Sequence, residues 1–450
     1  MTLNVDISVS TQALQALEAL EGAGHEAWVV GGCVRDSLLG REVNDFDIAT
    51  SACWKQVESV MQDAGFTVHR TGVRHGTVTA TLDGVPLEIT TYRSDGAYSD
   101  GRHPDEVTFV GSIEEDLARR DFTVNALAFH PDRGLLDCWG GVSDLEAGVI
   151  RTVGDPARRF GEDGLRILRG CRFASQLGFE IDEETLQAMK SRKRMLLGVS
   201  AERVTHELDA LLLGEHVHDA LMETVGVLCA VIPELAACKG FDQKTPYHIY
   251  DVWEHIAWVV QRCPADRVVR WAALFHDIGK PAACFLDGDR AHFYGHALLS
   301  ASLAKGAMER LLMSPAFMNR VLTLVRIHDD QIAATPKSVR RALVRLGGDV
   351  GLFRGLIGLK RADALAQSEL GRPRVELADE LEKTLDGVIA SEAAFSVKQL
   401  AINGNDVLAL GIPAGPKVGE LLGAALDAVI DERVENERGA LIELLLEHFL

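Results

Sequence analysis

The sequence predicts an α/β domain followed by regions that are almost entirely helical. Residues 1 to about 150 alternate strand-like runs, such as AWVVGG and VPLEITTY, with helix-like runs, such as TQALQALEALEGAG. From Pro156 onward apolar residues recur at helical spacing, as in ARRFGEDGLRILRGCRFASQL. The segment between them, GLLDCWGGVSDLEAGVIRTVGDP, is typical of a turn-rich exit from the first domain.

A chain of 450 residues is long enough for two to four domains. The pattern predicts four regions: an α/β domain over 1–150, a helical region over 151–240, a second helical region over 241–370 and a small helical tail over 371–450. The third of these regions contains six of the histidines, some of them in motifs described below.

The cysteines and the N-terminus predict a cytoplasmic protein with no membrane partner. The 8 cysteines are scattered singly and form no C-x-x-C pair, which argues against a zinc ribbon or a disulfide framework and favours a reducing compartment. The N-terminal MTLNVDISVS lacks the features of a signal peptide, and no apolar run approaches the length of about 18 residues that spans a bilayer.

The net charge of −20 argues on composition alone against a nucleic-acid partner, because Lys and Arg supply the contacts to phosphate. The charge is unevenly distributed, however. Residues 151–214 contain 11 Lys and Arg against 10 Asp and Glu, so the excess acid lies elsewhere. A local basic surface in this segment is therefore compatible with the composition.

The stretch VVGGCVRDSLLG predicts a phosphate site. AWVVGG is a strand that ends at Gly31 and Gly32, where the absence of a Cβ lets a ligand approach the backbone. CVRDSLLG then predicts a helix whose N-terminal amides face the same space, and Arg35 adds a guanidinium group. A glycine pair by itself is equally compatible with an ordinary turn.

NDFDIAT places two carboxylates beside that turn. Side chains alternate in a strand, so Asp45 and Asp47 point one way while Phe46 and Ile48 point into the core. Paired carboxylates and a phosphate site together favour Mg²⁺. Glu88, flanked by apolar residues in VPLEITTY, is a candidate third carboxylate for two-metal phosphoryl transfer. The alternatives are a solvated D-x-D pair and an exposed strand glutamate.

GEDGLRILRGCR predicts a helical stripe that reads a nucleobase. Asp163, Arg166, Arg169 and Arg172 follow one another at i+3 steps on a helix. Asp163 can accept from an exocyclic amino group and Arg166 can donate to a ring acceptor. Cytosine and adenine both present an amino group beside a ring acceptor, whereas uracil and guanine do not. The alternative is an i,i+3 salt bridge on a helix surface.

Three ordered motifs resemble the class II tRNA nucleotidyltransferase and poly(A) polymerase family: GGCVRDSLLG…DFD, EEDLARRDFTVNALAF and RFGEDGLRILRGCRFASQLGF. The resemblance covers about residues 25–200. It implies a nucleotidyltransferase head followed by a helical neck, body and tail, and it implies nucleotide contacts for Arg169 and Arg172. EEDLARRDFTVNALAF and GGVSDLEAGVIRTVGDP are most like the CCA-adding members.

The resemblance also implies roles in the second motif. Arg120 would contact the bound nucleotide, while Asp121 and Asn125 would support its ribose. From the residues alone, the preferred interpretation of Arg119 and Arg120 is that they are surface arginines paired with the acidic residues of EEDL.

The partners implied are CTP, ATP and the 3′ end of tRNA. Between Tyr92 and Val110, RSDGAYSDGRHPDE is polar and glycine-containing, and in the family this position is a flexible loop tied to the final adenosine step. Basic residues of KSRKRM, residues 190–195, are candidate contacts to tRNA phosphates, although a solvated helix end is the ordinary interpretation of such a run. The oligomeric state is not predicted.

A second set of motifs resembles an HD domain, the metal-dependent phosphohydrolase fold: WEHIAW, ALFHDIGKP, HFYGHALLS, VRIHDD and RADALAQ. The resemblance implies one divalent metal ion, of unidentified element, held by His255, His276, Asp277 and Asp363. A second position would be completed by His296 and His328. Imidazole and carboxylate ligands suit manganese, iron, nickel or cobalt as well as magnesium. The alternative is a set of buried core histidines.

The sequence thus predicts a CCA-adding tRNA nucleotidyltransferase with a metal-binding HD domain. The HD domain is hypothesised to remove 2′,3′-cyclic or 3′-phosphates from RNA ends. A poly(A) polymerase or an A-adding enzyme is the nearest alternative. The others are a metal phosphohydrolase that keeps the head as an RNA-binding module, and a catalytically silent RNA-binding protein.

Overall fold

The computed structural model describes residues 7–43, 45–95 and 107–448. The chain divides into two compact units, Met1–Pro233 and Glu234–Leu450. The first contains a large sheet with helices and the second is almost entirely helical, so the predicted fold class is confirmed. Residues 96–106, the centre of the predicted polar loop, lie outside the described residues.

Seven strands of the N-terminal unit form one sheet in the order β3-β4-β5-β2-β1-β8-β9. Within this sheet β2 and β5 pair in parallel and the other neighbours pair antiparallel. Two small sheets, β6 with β7 and β10 with β11, complete the unit. The strands are β1 Ala27–Val30, β2 Phe46–Thr50, β3 Thr67–Gly72, β4 Thr77–Leu82, β5 Val85–Thr91, β6 Arg93–Asp95, β7 Val107–Phe109, β8 Leu127–His130, β9 Gly134–Asp137, β10 Val149–Ile150 and β11 Glu180–Ile181.

The helices of this unit divide between the sheet and the neck. Helices α1 and α3 pack on the sheet, and α7 is the central neck helix, packed against α9 and α10. The helices are α1 Thr11–Gly22, α2 Gly32–Leu38, α3 Trp54–Asp63, α4 Ile113–Ala118, α5 Gly141–Ala147, α6 Pro156–Glu162, α7 Leu165–Leu177, α8 Glu183–Arg192, α9 Ala201–Leu212 and α10 Val217–Leu228.

The turn-rich exit predicted after β8 is wrong in part. The segment contains strand β9, which pairs antiparallel with β8, and helix α5. Asp137 nucleates that helix, since its carboxylate accepts hydrogen bonds of 2.9 Å from the backbone N–H groups of both Gly141 and Val142. A side chain that caps a helix is hard to distinguish in sequence from one that closes a turn.

The second unit is built from helices and one short hairpin. Helices α11, α12, α15 and α17 pack together, and the last helices form a separate apolar cluster around Leu426 and Leu441. The elements are α11 Val252–Arg262, α12 Arg267–Phe275, α13 Lys280–Ala283, β12 Phe285–Asp287, β13 Arg290–His292, α14 His296–Arg310, α15 Pro315–Ile327, α16 Pro336–Arg345, α17 Val350–Leu365, α18 Arg372–Ala390, α19 Gly404–Ala409, α20 Pro416–Ile430 and α21 Arg438–His448. Within the described ranges, none of the helices has both the length and the apolarity needed to cross a bilayer.

Candidate active sites

A cavity of about 600 Å³ lies in the N-terminal unit between the end of β1 and the neck helix α7. All ten residues predicted to bind nucleotide line it, although they come from three separate stretches of sequence. They are Gly31, Gly32, Arg35, Arg120, Asp121, Asn125, Asp163, Arg166, Arg169 and Arg172. We call this space the transferase cavity.

Gly31 is required where β1 turns into α2. Its φ of +81° lies in the region that favours glycine, and an added Cβ would lie 2.7 Å from an Nη atom of Arg120. The turn therefore brings backbone amides and the Arg120 guanidinium to one wall of the cavity. Both groups are suited to phosphate oxygens.

The three predicted catalytic carboxylates lie on adjacent strands. Asp47 lines the cavity, and in the parallel register of β2 and β5 it is opposite Glu88. Asp45 immediately precedes β2 and is exposed, as are Asp47 and Glu88, while Phe46 and Ile48 are buried. The alternation predicted from NDFDIAT is thus present in the structure.

The electrostatics of these carboxylates suit a divalent cation. Partial desolvation raises the pKa of Asp47, Arg120 acts in the opposite direction, and the neighbouring charges of Glu88 and Asp45 raise it further. Like-charged carboxylates held together by sheet register repel one another until a cation lies between them. Hard oxygen ligands beside a phosphate-binding turn are a donor set that Mg²⁺ accepts.

The transferase cavity is strongly cationic. Eight arginines line it against three aspartates, so its lining favours an anion with several charges. Some of these arginines are also neutralised from behind, since Asp116 pairs with both Arg119 and Arg120 at 2.9 and 3.4 Å. The interpretation of these two arginines as partners of the EEDL acids is therefore correct for Asp116, but both arginines also line the cavity.

The prediction that Asp163 shares one helix with the three arginines is wrong. Asp163 has extended backbone angles and ends α6, and α7 begins at Leu165. Asp and Gly are weak helix formers that favour caps, which explains the break at Asp163 and Gly164. The side chain of Asp163 accepts from the Leu165 N–H at 2.9 Å, so it caps the helix that carries the arginines.

Asp163 and Arg166 are each held by partners outside the predicted stripe of Asp163, Arg166, Arg169 and Arg172. Arg203, on α9, donates to Asp163 Oδ2 at 2.8 Å and lines the same cavity. Arg166 is 8 % exposed and donates to Glu162 at 2.7 Å and to the carbonyl of Arg119 at 2.9 Å. The base-selecting pair proposed from sequence is therefore fixed by side chains behind it.

Asp121 and Asn125, which the family resemblance assigns to the ribose, are engaged by arginines. Asp121 accepts from Arg169 at 2.5 Å and from the Phe122 N–H at 2.8 Å. Asn125 accepts from Arg35 at 2.6 Å. Burial acts to raise the pKa of Asp121, but the guanidinium groups of Arg169 and Arg166 outweigh it and hold the pKa well below its usual value.

Replacing Asp121 by asparagine is expected to lower the free energy of unfolding by about 1–3 kcal/mol at pH 7, because Arg169 loses its charged partner. A carboxylate whose pKa is lowered by folding contributes its full stabilisation at any pH above the pKa of the unfolded chain, here 3.8. That stabilisation is lost as the pH falls below 3.8 toward the folded-state pKa. Urea unfolding should therefore show a constant difference between wild type and Asp121→Asn from pH 7 to 5, shrinking below pH 4. A difference that grows on acidification would contradict the ion-pair role.

Phe173 is a cavity residue that sequence reasoning missed. The guanidinium groups of Arg172, Arg35 and Arg169 lie 4.2, 5.2 and 5.4 Å from the centre of its ring. An aromatic face attracts cations and keeps them side by side. Phe173 thus orders three of the arginines, one of which comes from α2 and two from α7.

A second site forms in the C-terminal unit around Asp277. All six predicted HD ligands are buried, and five helices or their ends bring them together: His255, His276, Asp277, His296, His328 and Asp363. Asp277 lies 3.1 Å from His276 and 3.4 Å from His255 on one side, and 3.3 Å from His296 and 3.7 Å from His328 on the other. Asp363 approaches His255 at 3.1 Å.

The hydrogen bonds of the imidazole rings turn their unprotonated nitrogens toward the space around Asp277. The Nδ1 atoms of His276, His296 and His328 lie 2.7, 2.9 and 2.7 Å from backbone carbonyls. A carbonyl only accepts, so we assign the ring proton to Nδ1 and the lone pair to Nε2. The Nε2 atoms then face one another, at 3.4 Å between His255 and His276 and 3.2 Å between His296 and His328.

This arrangement fits two metal ions. Facing lone pairs repel unless a cation lies between them, and the two groups that could hold an ion, His255–His276–Asp277 and Asp277–His296–His328, share Asp277. Burial acts to lower the pKa of His255 and His296, but hydrogen bonding to Asp277 outweighs it and raises both values. Positive charge is therefore favoured on both sides of Asp277.

Several polar residues around this centre were not predicted. Lys280 Nζ lies 2.6 Å from Asp277 and donates to Gln243 at 2.8 Å, while Arg374 lies 3.1 Å from Asp363. The IGK of ALFHDIGKP contained the signal for Lys280, whereas no motif marked Arg374. Gly279 permits the packing, because an added Cβ would lie 2.7 Å from the carbonyl of His296.

Family models match most of the chain. They are the poly A polymerase head domain over residues 27–151, the RNA and SrmB-binding site of polymerase A over 178–239, the HD domain over 246–382 and the tRNA nucleotidyltransferase domain 2 over 376–445.

Relatives match over nearly the whole chain. A CCA-adding enzyme from Lactobacillus delbrueckii subsp. bulgaricus is 33 % identical over 442 residues, which are 97 % of this chain and 98 % of that enzyme. One from Geobacillus thermodenitrificans is 35 % identical over 446 residues, covering 97 % and 96 % of the two chains. This chain belongs to the CCA-adding enzyme family. The predicted family is thus confirmed.

Solved structures agree with this assignment. The Bacillus stearothermophilus CCA-adding enzyme in complex with CTP is 30 % identical and superimposes with a TM-score of 0.72, covering 97 % of this chain and 96 % of that one. The Thermotoga maritima CCA-adding enzyme complexed with tRNA is 20 % identical, covers 97 % and 96 % and has a TM-score of 0.60, so it supports the fold.

Proposed function

We propose that this protein adds C, C and A to the 3′ end of tRNA, using CTP and ATP and no nucleic-acid template. The observation that carries the proposal is the transferase cavity, whose lining combines Asp47 and Asp163 with eight arginines, Arg166 among them. Full-length relatives named CCA-adding enzymes, and the related structure with CTP, support the same assignment. We place the activity in the cytoplasm, because the eight cysteines form no disulfide in the described part of the chain, as is usual in a reducing compartment.

The proposed step is an in-line displacement at the α-phosphorus. The tRNA 3′-oxygen forms a bond to phosphorus, the bond to the bridging oxygen of the β-phosphate breaks, pyrophosphate leaves and the hydroxyl proton passes to solvent. Arg35 and Arg120 bind the triphosphate, and the β1–α2 turn approaches it closely. Asp45 and Asp47, with Glu88 beside them, would hold Mg²⁺, which when bound neutralises phosphate charge and favours deprotonation of the attacking hydroxyl.

Nucleotide choice is assigned to the end of α6 and the start of α7. Asp163 would accept from the exocyclic amino group of cytosine or adenine, and Arg166 would donate to the adjacent ring acceptor. Arg203 holds the Asp163 carboxylate in one orientation, and Phe173 keeps the neighbouring arginines in place. Arg203 is thus a positioning residue for specificity.

The proposal is tested with tRNA transcripts that end before CCA, each nucleotide being supplied alone and then CTP with ATP. Two cytidines should be added with CTP alone, and a single adenosine only when both nucleotides are present. Repeated adenosine addition to arbitrary RNA would point instead to a poly(A) polymerase. Adenosine addition restricted to transcripts that already end in CC would point to an A-adding enzyme.

Replacing Arg203 by methionine is expected to lower kcat/KM for CTP and ATP by about 10- to 150-fold, the value of a charged hydrogen bond. The fraction of UTP and GTP incorporated should rise, because Asp163 is no longer held in one orientation. Single-nucleotide incorporation with each of the four nucleotides measures both effects. Arg70→Met, which removes an exposed arginine outside the cavity lining, is the matched control. Equal losses for all four nucleotides would contradict a role in base selection.

We further propose that the HD centre hydrolyses phosphate esters at RNA ends, removing a 2′,3′-cyclic or 3′-phosphate so that the hydroxyl needed for nucleotide addition is free. The two ligand groups that share Asp277 carry this proposal. Water adds to phosphorus, the ester P–O bond breaks, and the ribose oxygen leaves with a proton. Divalent ions bound there would supply an activated water. Phosphate release from RNA carrying these ends, tested with Mg²⁺, Mn²⁺, Ni²⁺ and Co²⁺, decides the question.

A further inference from the structure

A cavity of about 600 Å³ opens over the HD centre. Asp277, His296, His328 and Asp363 form its floor, so any bound molecule reaches the metal ligands directly. We call this space the HD cavity. Its volume exceeds what a phosphate group alone requires, and this raises the question of what fills the remainder.

The walls of the HD cavity are suited to an anion near the floor. Lys280, 5 % exposed, and Arg374 both line it and contact the two carboxylates of the centre. The rim residue Asp330 is neutralised by Arg345 at 2.7 Å. Two bound divalent ions would add to this positive charge, so the floor selects a phosphate.

The rim carries an aromatic side chain that the protein leaves uncovered. Tyr294 is 77 % exposed and lines the cavity, and its ring is parallel to that of His292, with 5.4 Å between centroids and 4° between planes. His292 ends strand β13 and Tyr294 comes two residues before the metal-site residue His296. The stack is therefore attached to the centre by a very short segment of chain.

An exposed ring beside a phosphate-binding floor has a specific chemical match. A large exposed aromatic surface marks a binding site when other groups converge on it, and nucleobases stack on aromatic rings whatever their sequence. One face of Tyr294 is taken by His292, and stacking a base on the other face would extend the pair. Leu298, 67 % exposed and also in the lining, adds apolar surface one turn into α14.

We propose that Tyr294, supported by His292, is a stacking platform for the base of a nucleotide whose phosphate lies over the HD centre. This inference rests on the proposed phosphate-ester hydrolysis and names its substrate class as the terminal nucleotide of an RNA. Because stacking reads the π-face of the base, the platform accepts any of the four bases, as a site that processes RNA ends requires.

The test uses calorimetric titration of the full chain with divalent metal, and comparison of wild type with Tyr294 variants cancels any binding at the transferase cavity, whose lining residues all belong to the N-terminal unit. The probe is 3′-deoxy-3′-(phosphonomethyl)adenosine, in which carbon replaces the ester oxygen so that hydrolysis cannot occur. Methylphosphonate is the base-free control. Wild type is expected to bind the nucleoside probe more tightly, and Tyr294→Ala should lose about 5- to 150-fold of that affinity while binding methylphosphonate unchanged. Tyr294→Trp should retain it.

A matched control comes from the same hairpin. Leu286 is 52 % exposed on β12 and lies outside the cavity lining, so Leu286→Ala should bind both probes like wild type. Equal affinity of wild type for the two probes, or equal nucleoside affinity of wild type and Tyr294→Ala, would overturn the platform. Tyr294-dependent binding in a protein that releases no phosphate would support the platform and remove the hydrolytic proposal. A KM for phosphate release that is the same in wild type and in Tyr294→Ala would overturn the platform and support the hydrolytic proposal.

Discussion

Asp47→Asn is expected to lower the rate of nucleotide addition by at least about 10³-fold, since the ion-binding carboxylate contributes several kcal/mol to transition-state stabilisation. Asparagine keeps the shape of the side chain and removes its charge. CTP binding should change by less than tenfold, because the eight arginines of the cavity remain. Single-turnover addition of labelled CMP gives the rate, and calorimetry with CTP gives the affinity.

The neighbouring carboxylates make this prediction specific. Glu88 lies opposite Asp47 in the β2–β5 register. If Glu88 supports the ion from the adjacent strand, Glu88→Gln should lower the rate of nucleotide addition, but by less than Asp47→Asn does. Glu58→Gln is the control, since Glu58 on α3 is paired with Arg70 at 2.8 Å and lies outside the cavity lining. An Asp47→Asn protein that keeps a tenth of the wild-type rate would show that Asp47 holds no catalytic ion.

The glycine turn and the carboxylates at the transferase cavity were predictable because their sequence signals are local. A strand that ends in Gly31 and Gly32 and runs into a helix needs no distant contact to be recognised. Alternation also placed Asp47 on the polar face of β2 before its partner was known. Glu88 was found the same way, from apolar neighbours, although the pairing of β2 with β5 joins residues about forty positions apart.

The residues that sequence reasoning missed act through tertiary contacts. Arg203 and Phe173 lie on helices whose patterns are ordinary, and their roles appear only when α7, α9 and α2 meet. The break at Asp163 was missed because an apolar period continues on both sides of it, and only the cap at Leu165 reveals the new helix. The continuous apolar period thus concealed a break that the weak helix propensity of Asp163 and Gly164 favours.

In the HD centre the clustering of the six predicted residues followed from the sequence motifs, whereas the orientation of their side chains did not. The spaced histidine motifs, together with RADALAQ, contain all six residues, and the structure brings these residues together. The Nδ1 contacts to backbone carbonyls that turn each Nε2 inward depend on how the helices end, as at His276 and His328. Composition carries no record of that geometry.

Asp277→Asn is expected to abolish metal binding at both HD positions, because the carboxylate is shared by the two ligand groups. An amide offers a neutral oxygen in place of a charged one and cannot bridge two cations. Metal analysis of the dialysed protein should find two divalent ions per chain in wild type and none in the variant. His328→Ala should retain the ion of the other group, His255–His276–Asp277.

The same variant separates metal binding from folding. Two ions, each at about 100 times its Kd, stabilise the folded state by about 5.4 kcal/mol, which for a unit of this size raises Tm by about 11–22 °C. A chelator should therefore lower the Tm of wild type by that amount and leave Asp277→Asn unchanged, while the exposed Asp289→Asn behaves as wild type. Nucleotide addition should survive in Asp277→Asn, because its carboxylates and arginines lie in the N-terminal unit. A chelator effect that persists in Asp277→Asn would mean that the stabilising ion lies elsewhere than between these histidines.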